Sequence, residues 1–247
     1  SISVAGDVTS TSTDTSDDNH SYGIYAIGDG TDVTIFTDGD VTSNDRGVFA
    51  WNYGSGETSI TSTGTVTAGN NDGIYAENEE ISTASDITIK ANNVNAFDDG
   101  IVAYNYGSGS TEITATGVIK GGVGQTDQTA ISDGIYAYNG TKTENISISV
   151  KEVSGLGYGI GSDNYGTGST IIIASDQVKG GVGQNDQTVD SDGIYAWNES
   201  TTKDLSITAK DVTGLDDGIA AINNGFGSSS ISVAGDVTST STDTSDD

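Results

Sequence analysis

Apolar and polar residues alternate with a period of two in a short motif that recurs along the whole chain. In its fullest form the motif reads Gly-Ile-Tyr-Ala-x-Asn, and it starts at Gly23, Gly47, Gly73, Gly100, Gly134, Gly159, Gly193 and Gly218. Its second position is always Ile or Val, and its fourth is Ala except for Ser162. A period of two is typical of a β-strand, whose alternate side chains face opposite ways, so these two positions are predicted to face the interior.

Two further apolar stretches in each interval predict two more strands. The second strand is marked by Ile60, Ile87, Ile113, Ile146 and Leu205, and the third centres on Val8, Val41, Val66, Val94, Val118, Val153, Val178 and Val212. Three short strands in roughly 25 residues predict an all-β fold, a right-handed parallel β-helix whose coils stack about 4.8 Å apart.

The chain also repeats itself at long range. Residues 1–18 are identical to residues 230–247, an offset of 229 residues, and the motif occurs eight times within that period. We expect residues 1–247 to form a single continuous β-solenoid, with about eight coils in one 229-residue period followed by 18 residues of the next. The sequence Lys-Gly-Gly-Val-Gly-Gln, at Lys120 and again at Lys179, indicates that two types of coil alternate.

Composition and charge narrow the class of function. The chain has 36 Asp and Glu against 8 Lys and Arg, and its formal charge of -28 would repel a nucleic acid backbone or an anionic lipid surface. We therefore expect no nucleic acid partner, and the short apolar runs predict no membrane insertion by this segment. The sequence has no cysteine, which removes disulfides, thiolate metal sites and thiol nucleophiles.

The sixth motif position is predicted to form a structural ladder of amides. It is Asn in seven of the eight copies, and Gly28 is the exception. Stacked amides can hydrogen-bond the turn backbone of their own coil and the side chain of the next coil. The predicted ladder comprises Asn52, Asn78, Asn105, Asn139, Asn164, Asn198 and Asn223.

The motif coils, with their Gly-x-Val and Ile-Thr strands, resemble the passenger segments of autotransporter-type adhesins and of other large bacterial β-solenoid surface proteins. The resemblance lies in period and composition, and it covers essentially the whole chain. It implies export, an extracellular or bacterial cell-surface location, and a structural and adhesive role in a surface or biofilm-matrix fibre.

Candidates for metal binding are weak. The Gly121–Asp127 sequence is similar to the calcium-binding nonapeptide of RTX proteins, but its Asp lies one place late and its second copy lies 59 residues away. Asp precedes the motif glycine in five copies, at Asp72, Asp99, Asp133, Asp192 and Asp217. Such a column of carboxylates is expected either to lie in solvent or to recruit cations, and we favour a hydrated surface. We predict no cofactor beyond weakly bound calcium, with candidate ligands at Asp98, Asp99, Asp127, Asp186, Asp216 and Asp217.

Aromatic residues occupy motif positions three and five, which are predicted to face outward. They are Tyr25, Phe49, Trp51, Tyr75, Tyr104, Tyr136, Tyr138, Tyr195 and Trp197. This stripe could bind glycans or a neighbouring fibre by stacking, or it could simply be cross-strand stacking within the sheet. The outward positions of the second strand are mostly Ser and Thr, interrupted by Phe36, Lys90 and Ile173, which predicts a solvated face.

These features predict a structural and adhesive repeat module rather than an enzyme. The chain has one histidine, His20, and no catalytic type of cluster that is unique among the repeats. The expected partners are identical repeats joined end to end and a host or matrix glycan or protein receptor. Two alternatives stay open: a carbohydrate-binding solenoid that uses the aromatic stripe and, less favoured, a polysaccharide-degrading β-helix.

Overall fold

Two parallel sheets contain all the strands in the part of the chain that the structure describes. A computed structural model describes residues 1–12, 21–79, 86–127, 130–184 and 191–240. These residues are all-β without helix, and their strands pair in parallel. The prediction of an all-β fold with parallel strands is confirmed, and the stacked sheets are consistent with a parallel β-helix. The described residues include no helix that is long and apolar enough to cross a membrane.

The first sheet consists of the motif strands, which lie side by side in chain order. Its strands are β3 Ile24–Gly28, β6 Val48–Asn52, β8 Ile74–Asn78, β10 Ile101–Asn105, β12 Ile135–Asn139, β14 Ile160–Asn164, β16 Ile194–Asn198 and β18 Ile219–Asn223. Each motif position pairs with the same position of the next strand, as Ile101 does with Ile135. Side chains of equivalent motif positions therefore form columns across the sheet, and the columns at positions two and six are nearly uniform.

The second sheet contains the strands predicted to follow each motif. It comprises β1 Ile2–Val4, β2 Val8–Ser10, β4 Val33–Thr37, β5 Val41–Ser43, β7 Thr58–Ala68, β9 Ile87–Ala96, β11 Thr111–Lys120, β13 Ile146–Ser154, β15 Thr170–Lys179, β17 Leu205–Gly214, β19 Ser229–Val233 and β20 Val237–Ser239. Near each end the predicted second and third strands are separate, as in β4 and β5. Between β7 and β17 they run together as one strand, and the pairing register shifts where the two predicted strands meet, a position that we call the corner.

The corner also corrects one predicted core residue. Val118 was predicted to be the centre of the third strand, but it is only half-buried, and Ile119 is the residue that faces the interior. Ile119 pairs with Val94 on one side and Val153 on the other. The prediction for Val118 was wrong because the corner after Ala115 is one residue longer than the corner after Ala91, and one extra residue reverses the direction of every following side chain.

Columns of aliphatic side chains fill the space between the two sheets. The column at motif position two is fully buried from Val48 to Ile194, and the columns of the second sheet, which include Ile60, Ile113 and Ile172, are equally closed to solvent. Burial of each Ile stabilises the fold by about 1.5–3 kcal/mol relative to exposure. Because each coil supplies the same few apolar residues, the core is extended by stacking rather than centred on one cluster.

The first motif position is Gly because the neighbouring coil leaves no room for a side chain. A Cβ atom on Gly100 would lie 2.4 Å from the carbonyl oxygen of Gly134 and 2.7 Å from Ile119 Cγ2. On Gly134 it would lie 2.4 Å from Val153 Cγ1. The close approach of backbone to backbone at this column accounts for an invariant feature of the repeat.

Ser162 is an isolated polar residue in the column of inward-facing Ala, and its removal should stabilise the fold. Its neighbours in the column are Ala137 and Ala196, and its buried hydroxyl has no hydrogen-bond partner among the described residues. We expect Ser162→Ala to raise the free energy of unfolding by about 1 kcal/mol in urea titrations, since it removes an unpaired buried group. The reverse change, Ala137→Ser, should lower it, and a loss of stability in Ser162→Ala would contradict this account.

Candidate functional site

The predicted Asn ladder lies at the end of the motif strands. Asn52, Asn78, Asn105, Asn139, Asn164 and Asn198 are fully buried, whereas Asn223 in the last motif strand is half-buried. In one type of coil the Asn Oδ1 accepts the N–H of a Gly two residues later, as from Gly107 to Asn105 at 3.0 Å. The same bond joins Gly54 to Asn52, Gly166 to Asn164 and Gly225 to Asn223. In these coils the amide fixes its own turn.

In the alternate coils the amide is bonded to a buried threonine of the preceding coil. Thr111 donates its hydroxyl to Asn139 Oδ1 at 2.6 Å. Thr58 and Asn78 form the same pair, as do Thr170 and Asn198, each at 2.6 Å. Asn139 Nδ2 in turn donates to the carbonyl of Asn145, 2.9 Å away in its own turn. These bonds link the two coil types in pairs, and Asn78 Nδ2 also donates directly to Asn105 Oδ1 at 3.4 Å.

Sequence analysis did not single out these threonines, although their spacing carries a signal. Each lies six residues after the Asn of its own coil, at the start of a strand where the alternate coils have Val, Ile or Leu. Thr111 pairs with Ile87 on one side and Ile146 on the other, so the column alternates polar and apolar residues. The alternation appears only when the two coil types are aligned separately.

Gly28 interrupts the ladder because its turn is shorter. Val33 begins the next strand only five residues after Gly28, and a Cβ on Gly28 would lie 2.5 Å from Val33 Cγ2. The first coil therefore has no amide to accept a hydroxyl from a preceding coil. The corresponding residue in the last coil, six positions after Asn223, is Ser229 rather than Thr.

The aromatic stripe lies on the outer face of the first sheet, where its rings stack on one another. Tyr25 and Tyr75 flank Phe49 with ring centres 5.2 Å away on either side, and Phe49 itself is buried. Trp51, Tyr75, Tyr104, Tyr136, Tyr138, Tyr195 and Trp197 are half-buried, and Tyr25 is exposed. Additional tyrosines next to the motif complete the packing, as Tyr106 does against Tyr138 at 5.2 Å. Cross-strand stacking thus covers much of the ring surface.

Carboxylates on this face accept hydrogen bonds from the aromatic residues. Tyr136 donates its hydroxyl to Asp163 at 2.5 Å, and Tyr75 donates to Glu77. Burial and the hydrogen bond to the carboxylate raise the pKa of both phenols well above the ordinary range, and burial raises the pKa of Glu77. The indole N–H of Trp51 reaches Glu79 at 3.1 Å.

Arg46 joins the aromatic stripe to the acidic column. Its guanidinium lies 4.7 Å from the ring centre of Tyr75 and 5.4 Å from that of Phe49. The same group forms an ion pair with Asp72 at 2.9 Å. Stacking on two rings and pairing with a buried carboxylate are interactions for which the planar guanidinium is suited and an ammonium is not.

Tyr158 replaces the acidic residue before the motif in one coil and fills a gap in the stripe. The third motif position there is Gly161, and a Cβ on it would lie 2.8 Å from the ring of Tyr136 and 2.9 Å from that of Tyr158. Tyr158 also stacks on Tyr195, with ring centres 4.9 Å apart. The rings of Tyr136 and Tyr158 occupy the space above Gly161, so the aromatic stripe continues across this coil.

The Asp residues before the motif glycine do not form the hydrated surface that we predicted. Asp72, Asp133 and Asp192 are buried, Asp99 is half-buried, and Asp217 alone is exposed. The prediction was wrong because these carboxylates accept backbone N–H groups of the following coil. Asp99 Oδ1 accepts from Asp133 N at 2.6 Å, and Asp133 Oδ1 accepts from Tyr158 N at 2.7 Å. A buried turn donor is thereby satisfied in each coil.

Burial raises the pKa of these carboxyl groups. Asp72 has its pKa raised to about 6 by burial, although Arg46 acts in the opposite direction. Burial is also the main cause of the raised pKa values of Asp99 and Asp133. The negative charge of Asp133 raises the pKa of Asp99 further. Two neighbouring carboxylates that are largely shielded from water favour the protonated state, because like charges repel strongly there.

The weak metal candidates are dispersed. Asp98 accepts a hydrogen bond from the Ser132 hydroxyl at 2.9 Å, Asp127 is exposed in its loop, and Asp216 and Asp217 lie exposed in the last coil. Asp186 lies outside the described residues. Across the described ranges, no group of three or more His, Cys, Asp or Glu side chains could hold a metal ion.

The glycine-rich loop similar to the calcium nonapeptide begins as a defined turn. Gly122 and Gly124 have φ of 74° and 84°, a region that favours glycine. The N–H groups of Gly122 and Val123 donate to the carbonyls of Asp98 and Ala96 at 2.9 and 2.8 Å. The glycines therefore allow the loop backbone to hydrogen-bond to the preceding coil, which is a structural role rather than a calcium-binding one.

Comparison of the chain with protein-family models, curated proteins and solved structures gives no match. The resemblance to adhesin passenger segments therefore stays a prediction.

The threonine to asparagine bonds should contribute measurably to stability. Thr111→Val keeps the shape of the side chain but removes the donor to the buried Asn139 Oδ1. We expect a loss of about 1–3 kcal/mol in the free energy of unfolding, measured in urea. Thr116→Val, at an exposed position of the same strand, is the matched control and should change stability little. Equal effects of the two changes would refute a special role for Thr111.

The buried carboxyl column predicts that the fold is more stable in mild acid. A raised pKa in the folded state gives stability that is complete below the unfolded value of about 3.9 and is lost as the pH rises through the folded value. The free energy of unfolding should therefore rise as the pH falls from about 8 to about 5. Asp133→Asn retains an oxygen for Tyr158 N–H and should flatten this dependence, whereas Glu112→Gln, at an exposed residue, should not. An unchanged slope in Asp133→Asn would contradict the assignment.

Proposed function

We propose that the chain is a structural and adhesive repeat module of a long fibre in the extracellular matrix or on the bacterial cell surface. The observation that carries the proposal is that its chemistry is arranged in columns. Buried Ile, Asn, Thr and Asp recur from coil to coil, and each residue acts on the coil next to it. Such an arrangement makes the molecule longer with every coil added, because the same contacts repeat from coil to coil.

The finer architecture belongs to the same proposal. We propose a right-handed helix of three-sided coils, with about eight coils in each 229-residue period. The corner in strands such as β7 and β11 supports a third side, because the pairing register shifts there as it does at a β-bulge, which bends a strand. One period would then advance the fibre by about 38 Å at the usual strand spacing.

The composition of the outer surface supports a location outside the cell. A formal charge of -28 spread over a long surface keeps the fibre soluble. The sequence also has no cysteine, so folding after export would require no disulfide formation. We propose neither an enzymatic role nor a cofactor beyond weakly bound calcium on exposed acidic loops. A host or matrix protein receptor is compatible with this surface.

Glycan binding is the second candidate, and the aromatic stripe favours it. Trp51 and Trp197 are half-buried outward rings, and each indole N–H points to a carboxylate, Glu79 or Glu199. Rings beside hydrogen-bonding groups suit sugar recognition, whereas the stacking of the tyrosines on one another leaves less ring surface for a ligand. Binding on a glycan array that Trp51→Ala abolishes and Phe36→Ala, on the other sheet, retains would favour this candidate.

The fibre proposal predicts a fixed gain in length for each period. A protein of two joined periods should be about 38 Å longer than a protein of one period, because stacking continues across the junction. Small-angle X-ray scattering and electron microscopy measure this difference directly. An unchanged length, or two particles joined by a mobile linker, would contradict a continuous fibre.

A further inference from the structure

The fifth motif position carries a symmetrical pattern along the first sheet. In strand order the column reads Ile27, Trp51, Glu77, Tyr104, Tyr138, Asp163, Trp197 and Ile222. Each of its two carboxylates therefore lies between a Trp on one neighbouring strand and a Tyr on the other. The order is reversed between the two halves of the column, so the same combination of charge and rings occurs twice on the outer face.

The first combination, which we call the Glu77 site, consists of Glu77 with Trp51 and Tyr104, all half-buried. Glu77 accepts the hydroxyl of Tyr75 from its own strand, and Trp51 donates its indole N–H to a second carboxylate, Glu79, at 3.1 Å. Burial raises the pKa of Glu77, and the negative charge of Glu79 raises it further. The site therefore holds negative charge among rings that shield it partly from water.

The second combination, which we call the Asp163 site, consists of Asp163 with Tyr138 and Trp197, again half-buried. Asp163 accepts the hydroxyl of Tyr136 from the preceding strand at 2.5 Å, and Trp197 donates its indole N–H to Glu199 at 3.4 Å. Burial raises the pKa of Asp163 as well. A carboxylate between two rings, with a second carboxylate at the indole, is thus built at two places from different residues.

The chain already shows which cation suits such a combination. The guanidinium of Arg46 lies 4.7 Å from the ring centre of Tyr75 and 2.9 Å from the carboxylate of Asp72, on the same face. Arg46 lowers the pKa of Glu77 without forming an ion pair with it. In the part of the chain that the structure describes, no Lys or Arg forms an ion pair with Glu77 or Asp163. The two sites therefore offer a ring and a carboxylate to a cation from outside the chain.

We propose that the Glu77 site and the Asp163 site bind arginine side chains of a basic segment in a partner protein. A planar guanidinium can stack on a Trp or Tyr ring and pair with the carboxylate at the same time, which an ammonium does less well. The formal charge of -28 attracts such a segment over a long distance. The inference rests on the proposed adhesive function and deepens it, because it names the chemistry of the protein receptor.

The spacing of the two sites favours an extended segment that runs across the motif strands. Glu77 lies in β8 and Asp163 in β14, and β10 and β12 lie between them. Three strand spacings place the two carboxylates about 14 Å apart. An extended peptide covers about that distance in four residues, and side chains four residues apart lie on the same side of it. Two arginines in such a peptide can therefore occupy both sites at once.

The two tryptophans of the chain report binding directly, because one lies in each site. The probe is the capped peptide acetyl-Arg-Gly-Ser-Gly-Arg-amide, titrated at low salt while tryptophan fluorescence is recorded. In Trp197→Phe only the Glu77 site reports, and in Trp51→Phe only the Asp163 site. We expect a saturable change in both proteins. The unmodified protein should bind this peptide at least about tenfold more tightly than acetyl-Gly-Gly-Ser-Gly-Arg-amide, because two sites are engaged together.

Substitutions that remove one charge separate a defined site from general attraction. In the Trp197→Phe protein, Glu77→Gln keeps an oxygen for the Tyr75 hydroxyl and should weaken binding of the single-arginine peptide at least about fivefold. Glu112→Gln, at an exposed residue of the second sheet, removes the same charge and should change the affinity little. Equal losses in the two variants, or equal affinity for the peptide with Lys in place of Arg, would show attraction by net charge alone and would overturn the sites. A fluorescence signal that does not change would overturn them as well.

A neutral glucose hexasaccharide is the second probe, because rings beside carboxylates also suit sugars. Binding of this sugar without binding of the arginine peptide would assign the stripe to glycans and overturn the proposal. Circular dichroism checks that each variant stays folded. The length gained per joined period does not depend on these sites, so failure of peptide binding and failure of the fibre proposal are distinguishable.

Discussion

Parallel pairing in register is the constraint on which the rest of the structure depends. When Ile101 pairs with Ile135 and Asn105 with Asn139, inward-facing side chains of the motif strands meet side chains of the same kind about 4.8 Å away. For apolar residues, this stacking excludes solvent from the core without a central cluster of side chains. For Gly it brings backbones so close that no Cβ fits, as at Gly100. One register therefore fixes which residues can repeat, and a coil with a different residue must compensate locally, as Tyr158 does above Gly161.

Polar residues can enter such an interior only when neighbouring coils complete their hydrogen bonds. Two solutions are used here. Carboxylates accept a backbone N–H of the following coil, as Asp133 does from Tyr158, and burial raises their pKa. Amides alternate between fixing their own turn and accepting a hydroxyl, as Asn139 does from Thr111. The second solution requires two kinds of coil, so the pairing of coils in the sequence has a physical origin in the satisfaction of buried groups.

The period-two pattern was sufficient to predict the parallel strands, because direction and burial alternate together along a strand. It did not predict what happens at corners, where a single extra residue after Ala115 brings Ile119 inward instead of Val118. It also misjudged Asp72, Asp133 and Asp192, since an Asp before Gly is common in solvated turns and only the next coil provides the N–H that buries it. Inter-coil partners lie about 25 residues away in sequence, beyond the reach of local pattern.

Under the proposed fibre function, the same logic requires adhesive chemistry to lie on the outer faces. The interior columns are buried between the sheets, and even the outward rings of Phe49 and Tyr75 stack on each other. A ligand would compete with these contacts except where a ring is left exposed, as at Tyr25, or beside a carboxylate, as at Trp51. Recognition on this surface would therefore be weak at each coil and would gain strength through repetition along the fibre, because many identical sites can engage one extended partner at once.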